Sequence, residues 1–304
     1  MGEQQAAMAV EQGETLKAHL GVFIATLLVA GSFLVSARLA ETINPVSLTL
    51  LRFVLAALCL APWVLSRRVY RSAILPTLPR AALISLFYAL YFIGFFEALK
   101  STTTLNTGTL YTLVPFVTGL LAWVAFGQAM PKRQWLIYLL GALGTVWVVF
   151  GGDLNALLAF ELNPGDRLFM LAALSMCCYS ISMKKLYRND AVLVLSFCTL
   201  LSGALWMALA LLLSGQPLQW AQLTAGDWLN MGYLAVPATL VTAYLFQKNT
   251  LVLGPKRVMA YIYLNPALVA AMVWLFLGTR IPLAVLPGIA LSAVATILLQ
   301  RQRD

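Results

Sequence analysis

Long apolar stretches, separated by short polar breaks, run through most of this chain. Each stretch holds about 20 residues, the length that crosses a bilayer as an α-helix. The stretches are continuous rather than alternating, which favours helices over the strands of a membrane barrel. The breaks carry turn-forming residues, such as Asn44-Pro45 and Asn163-Pro164-Gly165. The pattern therefore predicts an all-α polytopic membrane protein with ten transmembrane helices, at residues 18–40, 46–65, 80–99, 105–126, 133–151, 166–186, 191–213, 227–248, 256–277 and 282–300.

The second half of the chain repeats the first after a shift of 151 residues. The shift aligns Pro115 with Pro266, and it also aligns Phe95 with Phe246, Trp123 with Trp274, Gly127 with Gly278 and Pro131 with Pro282. Equivalent positions are five spans apart, an odd number, so the second copy should be inverted in the membrane. Inverted five-helix repeats are a common plan of small-solute transporters, and duplication for stability alone is the alternative. The predicted domains are a tail at 1–17, repeats at 18–151 and 166–300, an outer loop at 152–165 and a tail at 301–304.

Composition supports a membrane protein, and the placement of charge predicts its orientation. Only 10% of the residues are charged, whereas soluble domains carry about 25%. The net charge of +9 would suggest nucleic-acid binding in a soluble protein, but here no nucleic-acid partner is expected. With both termini in the cytoplasm, fifteen Lys and Arg residues lie inside and four outside. The positive-inside rule therefore predicts this topology.

The four cysteines all lie within apolar stretches, where they are expected to pack as small buried hydrophobes. Cys177-Cys178 as a redox or metal pair is the alternative, but no second cluster completes such a site. No metal or cofactor is expected. The expected partners are a small solute and the lipid bilayer. We expect a monomer, with the small residues of spans five and ten forming a brace or, alternatively, a dimer contact.

Pro115 and Pro266 lie within predicted spans and are candidate hinges. A proline inside a helix frees a carbonyl one turn earlier and kinks the helix. In a bilayer that carbonyl must face protein or water. These sites should therefore line a cavity or act as flexing points, the alternative being static kinks that aid packing.

Aromatic and polar side chains in the middle of spans are the candidate substrate site. A tyrosine hydroxyl within a span needs a partner, so several should face inward, and aromatic faces can stack a ring or attract an ammonium group. Core packing or membrane-interface belts are the alternative. The candidate substrate-binding residues are Tyr88, Tyr91, Phe95, Tyr111, Tyr179, Ser182, Tyr244, Tyr261 and Asn265.

Arg52 is the one cation well inside a predicted span, which makes it a functional candidate. Glu97, near the outer end of the third span, is its expected partner, and a substrate carboxylate is the alternative. No Asp or Glu lies near the centre of a predicted span. Proton-driven carriers usually place such groups along their path, so tight proton coupling is not expected.

Several short motifs resemble the drug/metabolite transporter superfamily, in its ten-helix exporter branch. These motifs are Leu51-Arg52-Phe53, Ala98-Leu99, Leu113-Val114-Pro115, Gly254-Pro255 and Leu264-Asn265-Pro266. The resemblance covers nearly the whole chain from residue 18. Within this branch, the chain is most similar to bacterial exporters of aromatic and other neutral amino acids. The resemblance implies an alternating-access exporter of neutral amino acids and related metabolites in a bacterial inner membrane, working by facilitated diffusion or exchange.

Three other functions remain as alternatives. One is a proton-coupled exporter of drugs or other metabolites of the same superfamily. A channel would need a repeated polar lining, whereas the central residues here are aromatic and apolar. An intramembrane protease would need a histidine or paired acids within the spans, and His19 at the mouth of the first span is the only histidine. We therefore expect a transporter and not an enzyme.

Overall fold

The computed structural model describes residues 2–127, 131–159, 162–253 and 255–301, and these residues form helices and connecting turns without a β-strand. Three helices contain tighter or wider turns: 3-10 turns at Tyr111–Leu113 and Tyr261–Leu264, and a π-helical turn at Val236–Val241. Further 3-10 turns lie at Trp220–Gln222 and Leu283–Val285. The α-helices are α1 Gly2–Ala40, α2 Pro45–Ser66, α3 Arg68–Ala98, α4 Thr104–Leu110, α5 Val114–Phe126, α6 Lys132–Val149, α7 Leu154–Ala159, α8 Pro164–Leu186, α9 Val192–Ser214, α10 Ala225–Ala235, α11 Thr242–Leu253, α12 Pro255–Ala260, α13 Asn265–Leu277 and α14 Leu286–Gln300.

The polar breaks become helix caps. The Asn44 side chain accepts a hydrogen bond from the Ser47 backbone N–H at 2.8 Å, which starts α2. Asn163 caps α8 in the same way. Asn side chains at these positions satisfy backbone donors that the first helical turn leaves unpaired. The turn chemistry of the sequence thus fixes where these helices begin.

Seven helices of the described chain are long and apolar enough to cross a membrane. The other three predicted spans correspond to α6, α8 and the shorter Tyr261–Leu277 segment. Charged residues at the ends of α6 and α8 lower the mean apolarity of these two helices. The seven spans are Gly13–Ala40, Pro45–Ser66, Arg68–Ala98, Thr104–Phe126, Val192–Ser214, Ala225–Phe246 and Leu283–Gln300.

The outer surface of the bundle carries large apolar side chains. Leu212 is 81% exposed, and Phe276 is 71% exposed. Apolar exposure on this scale fits hydrocarbon rather than water as the surrounding medium. The prediction of an all-helical, multi-span membrane fold is therefore confirmed.

The internal repeat is visible in the boundaries of the helices. The segment formed by α4, the 3-10 turn and α5 has the same order of elements as α12, its 3-10 turn and α13. Both α5 and α13 end at a glycine in the left-handed conformation, Gly127 with φ 64° and Gly278 with φ 65°. The first and last residues of α5 and α13 differ by the same 151-residue shift that aligns the sequences.

Pro115 and Pro266 lie within helical segments whose α-helical pattern is broken directly before each proline. Each lies in the first turn of a new helix, directly after a 3-10 turn. Proline lacks a backbone N–H, and the first turn of a helix is where that donor would have no partner. The helix therefore tightens before the proline and restarts at it, and the role of these turns as hinges stays a prediction.

Spans five and ten, formed by α6 and α14, pack against each other through glycines. A Cβ atom on Gly144 would lie 2.6 Å from the Gly288 carbonyl oxygen, and one on Gly288 would lie 2.6 Å from that of Gly144. Such a close backbone approach requires residues without a side chain. At this crossing the small residues thus form a contact between two helices of the same chain, as the expected brace requires.

Polar contacts join the two halves at both ends of α8. Arg80 of α3 forms a bidentate ion pair with Asp190, with both N–O distances at 2.8 Å. The Arg80 guanidinium holds the pKa of the Asp190 carboxyl below its usual range. At the opposite end of α8, Thr102 and Asn106 of the first half donate hydrogen bonds to Asp166.

Candidate functional site

Four of the predicted tyrosines and Phe95 form one aromatic cluster, contributed by α3, α8 and the first 3-10 turn. The ring of Tyr88 stacks on Tyr179 of α8, with centroids 4.7 Å apart. Tyr91 stacks on Phe95 at 5.9 Å, and the Tyr111 ring lies 6.2 Å from Tyr91. The structure thus brings these residues together between the two halves of the chain.

Arg52 of α2 lies beside this cluster and is 3% exposed. Its guanidinium lies over the ring of Phe92, 4.2 Å from the centroid, in a cation–π geometry. Its Nε and Nη2 atoms both donate to the hydroxyl oxygen of Thr239, at 3.1 and 2.9 Å. In the described part of the chain, Arg52 has no carboxylate within ion-pair distance.

The predicted pairing of Arg52 with Glu97 is therefore wrong. Glu97 forms an ion pair with Lys100 at 2.7 Å, and both side chains are partly exposed at the end of α3. Residues three apart on a helix meet with little loss of side-chain freedom. Reaching the buried Arg52 would instead require Glu97 to give up water.

Thr239 is the residue of this site that sequence reasoning missed. It lies in the π-helical turn Val236–Val241, and its hydroxyl donates to the Leu234 carbonyl oxygen at 2.7 Å. Isolated π turns inside α-helices are frequently found at functional sites. The 151-residue shift aligns Thr239 with Tyr88, so the internal repeat was a signal that could have identified it.

The cluster contains polar groups that have no partner within the described residues. The hydroxyl groups of Tyr88, Tyr91, Tyr111 and Tyr179 make no hydrogen bond there, and neither does Nη1 of Arg52. Polar groups in a bilayer are expensive unless they are paired with protein, water or a bound molecule. The arrangement can therefore bind a molecule that accepts hydrogen bonds and has an apolar or aromatic part.

Two other predicted tyrosines lie away from this cluster. Tyr244 of α11 is 61% exposed, and its ring lies 5.9 Å from the Lys248 ammonium. Tyr261 is hydrogen-bonded through its hydroxyl to Nδ1 of His19, at 2.9 Å, and packs in a separate small cluster. The structure therefore does not bring Tyr244 or Tyr261 into the aromatic cluster that contains Tyr88.

The remaining predicted residues are Ser182 and Asn265. Ser182 is partly buried near the end of α8. Asn265 is fully buried at the start of α13, and neither atom of its amide has a hydrogen-bond partner among the described residues. Gly254 of the Gly254-Pro255 motif lies outside the described residues. So do Met1 and residues 302–304 of the predicted tails and residues 160 and 161 of the predicted outer loop.

The two most buried acids of the described chain have local structural roles. Asp166 accepts hydrogen bonds from Thr102 and Asn106. Asp227 forms a capping box with Thr224 at the start of α10. Neither is available as a counter-ion for Arg52, so the site is cationic.

The apolar helical bundle, with a polar site between its halves, is that of a helical integral membrane protein. The chain belongs to the EamA-like transporter family, whose model matches residues 16–150 and 163–301. This membership confirms the predicted drug/metabolite transporter superfamily, whereas the transport activity of this chain and the amino acid exporter branch stay predictions.

Two further comparisons concern a curated relative and a solved structure. The chain is 23% identical over 160 residues to the "Uncharacterized transporter YyaM" of Bacillus subtilis (strain 168), a match that covers 53% of this chain and 51% of that protein. The chain thus spans about half the length of this curated relative. A solved structure described only as "Crystal structure of protein" shares the fold, with a TM-score of 0.65 and 21% sequence identity over 93% of this chain and 96% of that one.

Proposed function

We propose that this protein exports neutral amino acids, aromatic ones included, and related small metabolites across the bacterial inner membrane by facilitated diffusion or exchange. The aromatic cluster with its unpaired hydroxyls is the observation that carries the proposal. An aromatic amino acid can stack its ring in such a cluster. Its ammonium group is attracted by ring faces, and its carboxylate can accept hydrogen bonds from the phenols.

Alternating access would result from movement of the two halves relative to each other. In this mechanism the halves rock against each other, with the 3-10 turns before Pro115 and Pro266 as flexing points. Both termini would lie in the cytoplasm. The ion pair of Arg80 with Asp190 and the contacts of Asp166 lie at opposite ends of α8, where closing and opening would make and break contacts between halves.

A proton-coupled exporter of drugs or other metabolites is the second candidate. A drug cation would require a counter-charge, but the charge beside the cluster is the positive charge of Arg52. Like charges in a buried site repel each other strongly. The cationic site thus favours neutral, zwitterionic or anionic solutes over cations.

Counterflow in proteoliposomes tests the substrate. Vesicles loaded with unlabelled phenylalanine should accumulate labelled phenylalanine from outside. Vesicles loaded instead with other neutral amino acids should also accumulate labelled phenylalanine, to an extent that depends on the internal amino acid. Protein-free vesicles are the control. Accumulation driven by none of the panel would contradict the proposal.

Alanine substitutions test the location of the site. Tyr88→Ala and Tyr91→Ala should reduce phenylalanine counterflow, because each removes a ring of the cluster. Tyr244→Ala removes an exposed tyrosine outside the cluster and is the matched control, expected to leave counterflow unchanged. Equal effects of all three at equal membrane abundance would contradict this assignment.

A further inference from the structure

We propose that the Nη1–Nη2 edge of Arg52 is the carboxylate-binding site of the transported solute, and that Thr239 holds Arg52 in the orientation that presents this edge. This inference deepens the proposed function and rests on it only for the identity of the solute as an amino acid.

The hydrogen bonds of Arg52 divide its guanidinium into a used edge and a free edge. Nε and one N–H of Nη2 point to Thr239, at 3.1 and 2.9 Å. A guanidinium has five N–H donors, so both N–H groups of Nη1 and the second of Nη2 are left over. These donors form the planar fork that matches a carboxylate with two parallel hydrogen bonds.

The surroundings of Arg52 make an anion at this edge favourable. The guanidinium is 3% exposed and its face is covered by Phe92. A buried charge without an ion partner is strongly unfavourable, and the cation–π contact with Phe92 offsets only part of this cost. The described chain supplies no acid here, so an incoming carboxylate would be the first negative charge at the site.

Thr239 positions Arg52 and does not compete with the solute. Its hydroxyl proton is committed to the Leu234 carbonyl, so its oxygen accepts from Arg52 with lone pairs only. A neutral hydroxyl is a weaker acceptor than a carboxylate. The rings of Tyr88 and Tyr91 both contact Phe92, the ring that lies against the Arg52 guanidinium, and their hydroxyls make no hydrogen bond within the described residues. They can therefore donate to the same carboxylate.

The experiment measures the ligand-induced shift of the thermal unfolding temperature of purified protein in detergent. The probes share one phenylpropyl skeleton: 3-phenylpropanoate carries the carboxylate, 3-phenylpropanamide is its neutral analogue, and 3-phenylpropylamine is a cation. The wild type should be stabilised by 3-phenylpropanoate at concentrations about ten-fold or more below those needed for the amide, as expected for loss of a charge-assisted hydrogen-bond pair. The cation should give no shift. Equal shifts with propanoate and amide would overturn the proposal, and so would a larger shift with the cation.

Two variants test the roles of the residues. Arg52→Lys keeps the charge but loses the fork, and it should abolish the preference for propanoate over the amide. Thr239→Val keeps the shape but removes the acceptor that orients Arg52. It should weaken propanoate binding while retaining the preference over the amide. An Arg52→Lys variant that keeps the wild-type preference would contradict the proposal. If that variant fails to fold, the comparison of propanoate with amide on the wild type still tests whether the site binds a carboxylate.

The two proposals can fail separately. A carboxylate preference in the wild type without phenylalanine counterflow would retain the anion site and reject amino acid export. Phenylalanine counterflow without a carboxylate preference would retain export and reject the role of Arg52.

Discussion

At the scale of single residues, Asn265 is a polar group that the fold itself does not use. It is fully buried, and neither its amide oxygen nor its amide nitrogen has a partner among the described residues. An unsatisfied buried polar group costs about 1–3 kcal/mol. The equivalent position of the first repeat is Val114, which fills the same place before the proline without this cost. Since the first repeat forms this element with an apolar residue, we expect the Asn265 amide to serve transport rather than folding.

Asn265→Val tests this interpretation, because it installs the residue of the first repeat. We expect the thermal unfolding temperature to rise, since the unsatisfied amide is removed, and phenylalanine counterflow to fall, since a hydrogen-bonding group on the path is lost. Val114→Asn is the reciprocal control and should lower the unfolding temperature. Counterflow that remains at the wild-type rate in Asn265→Val would exclude a role of this amide in transport.

At the scale of elements, the crossing of α6 and α14 depends on the absence of side chains. The backbones approach so closely at Gly144 and Gly288 that an added Cβ would overlap a carbonyl oxygen of the other helix. A backbone carbonyl cannot move aside as a flexible side chain can. The two last helices of the repeats would have to separate to admit even a methyl group.

Gly144→Ala should therefore lower the free energy of unfolding by about 1–3 kcal/mol, the usual cost of overpacking. Gly232→Ala is the matched control, because Gly232 lies in α10 and an added Cβ there meets nothing within 4 Å. It should be neutral or stabilising, since alanine favours helices over glycine by about 1 kcal/mol. Thermal unfolding of both variants in detergent measures the difference. Equal stability of the two variants would show that the crossing relaxes at no cost.

Helical elements were largely predictable from the sequence, because their signals are local. Apolar length and capping residues fix the helices, and the 151-residue repeat predicts that both halves share a proline-marked element. The form of that element was not predictable: the kinks expected at Pro115 and Pro266 take the form of a 3-10 turn directly before each proline.

The directions of the side chains in the site were predictable only where the helices are regular. On α3, Tyr88 contacts Phe92 and Tyr91 contacts Phe95, each four residues further along, as the helical period predicts. On the eighth span the π-helical turn Val236–Val241 inserts an extra residue into the helical period. This rotates the following residues, so Tyr244 does not lie where an unbroken helix would place it. The Arg52 contact with Thr239 joins residues 187 positions apart, which no local pattern reveals.

At the scale of the whole molecule, charge is distributed unequally between the repeats. Arg52 is a buried cation of α2, whereas α9, the second helix of the other repeat, contains no charged residue. The candidate site is therefore asymmetric even though the surrounding helices are repeated. Because of this asymmetry, Arg52 of the first half can recognise one group of the solute, while residues of both halves line the candidate site.

The same charge distribution predicts how transport is driven. Proton coupling through carboxylates would need an acid that can exchange protons along the path, and the buried acids of the described chain, Asp166 and Asp227, are held by hydrogen bonds in helix caps. A zwitterionic amino acid has no net charge, so its movement should respond neither to a proton gradient nor to voltage. We expect phenylalanine efflux from proteoliposomes to proceed at the same rate with an imposed pH gradient, with a potassium diffusion potential, and with neither.

Glu97→Gln is the control variant and should behave as the wild type, because Glu97 pairs only with Lys100 in the described structure. Efflux that requires the proton gradient would reject facilitated diffusion and favour the proton-coupled exporter, and a loss of that requirement in Glu97→Gln would identify the titrating group.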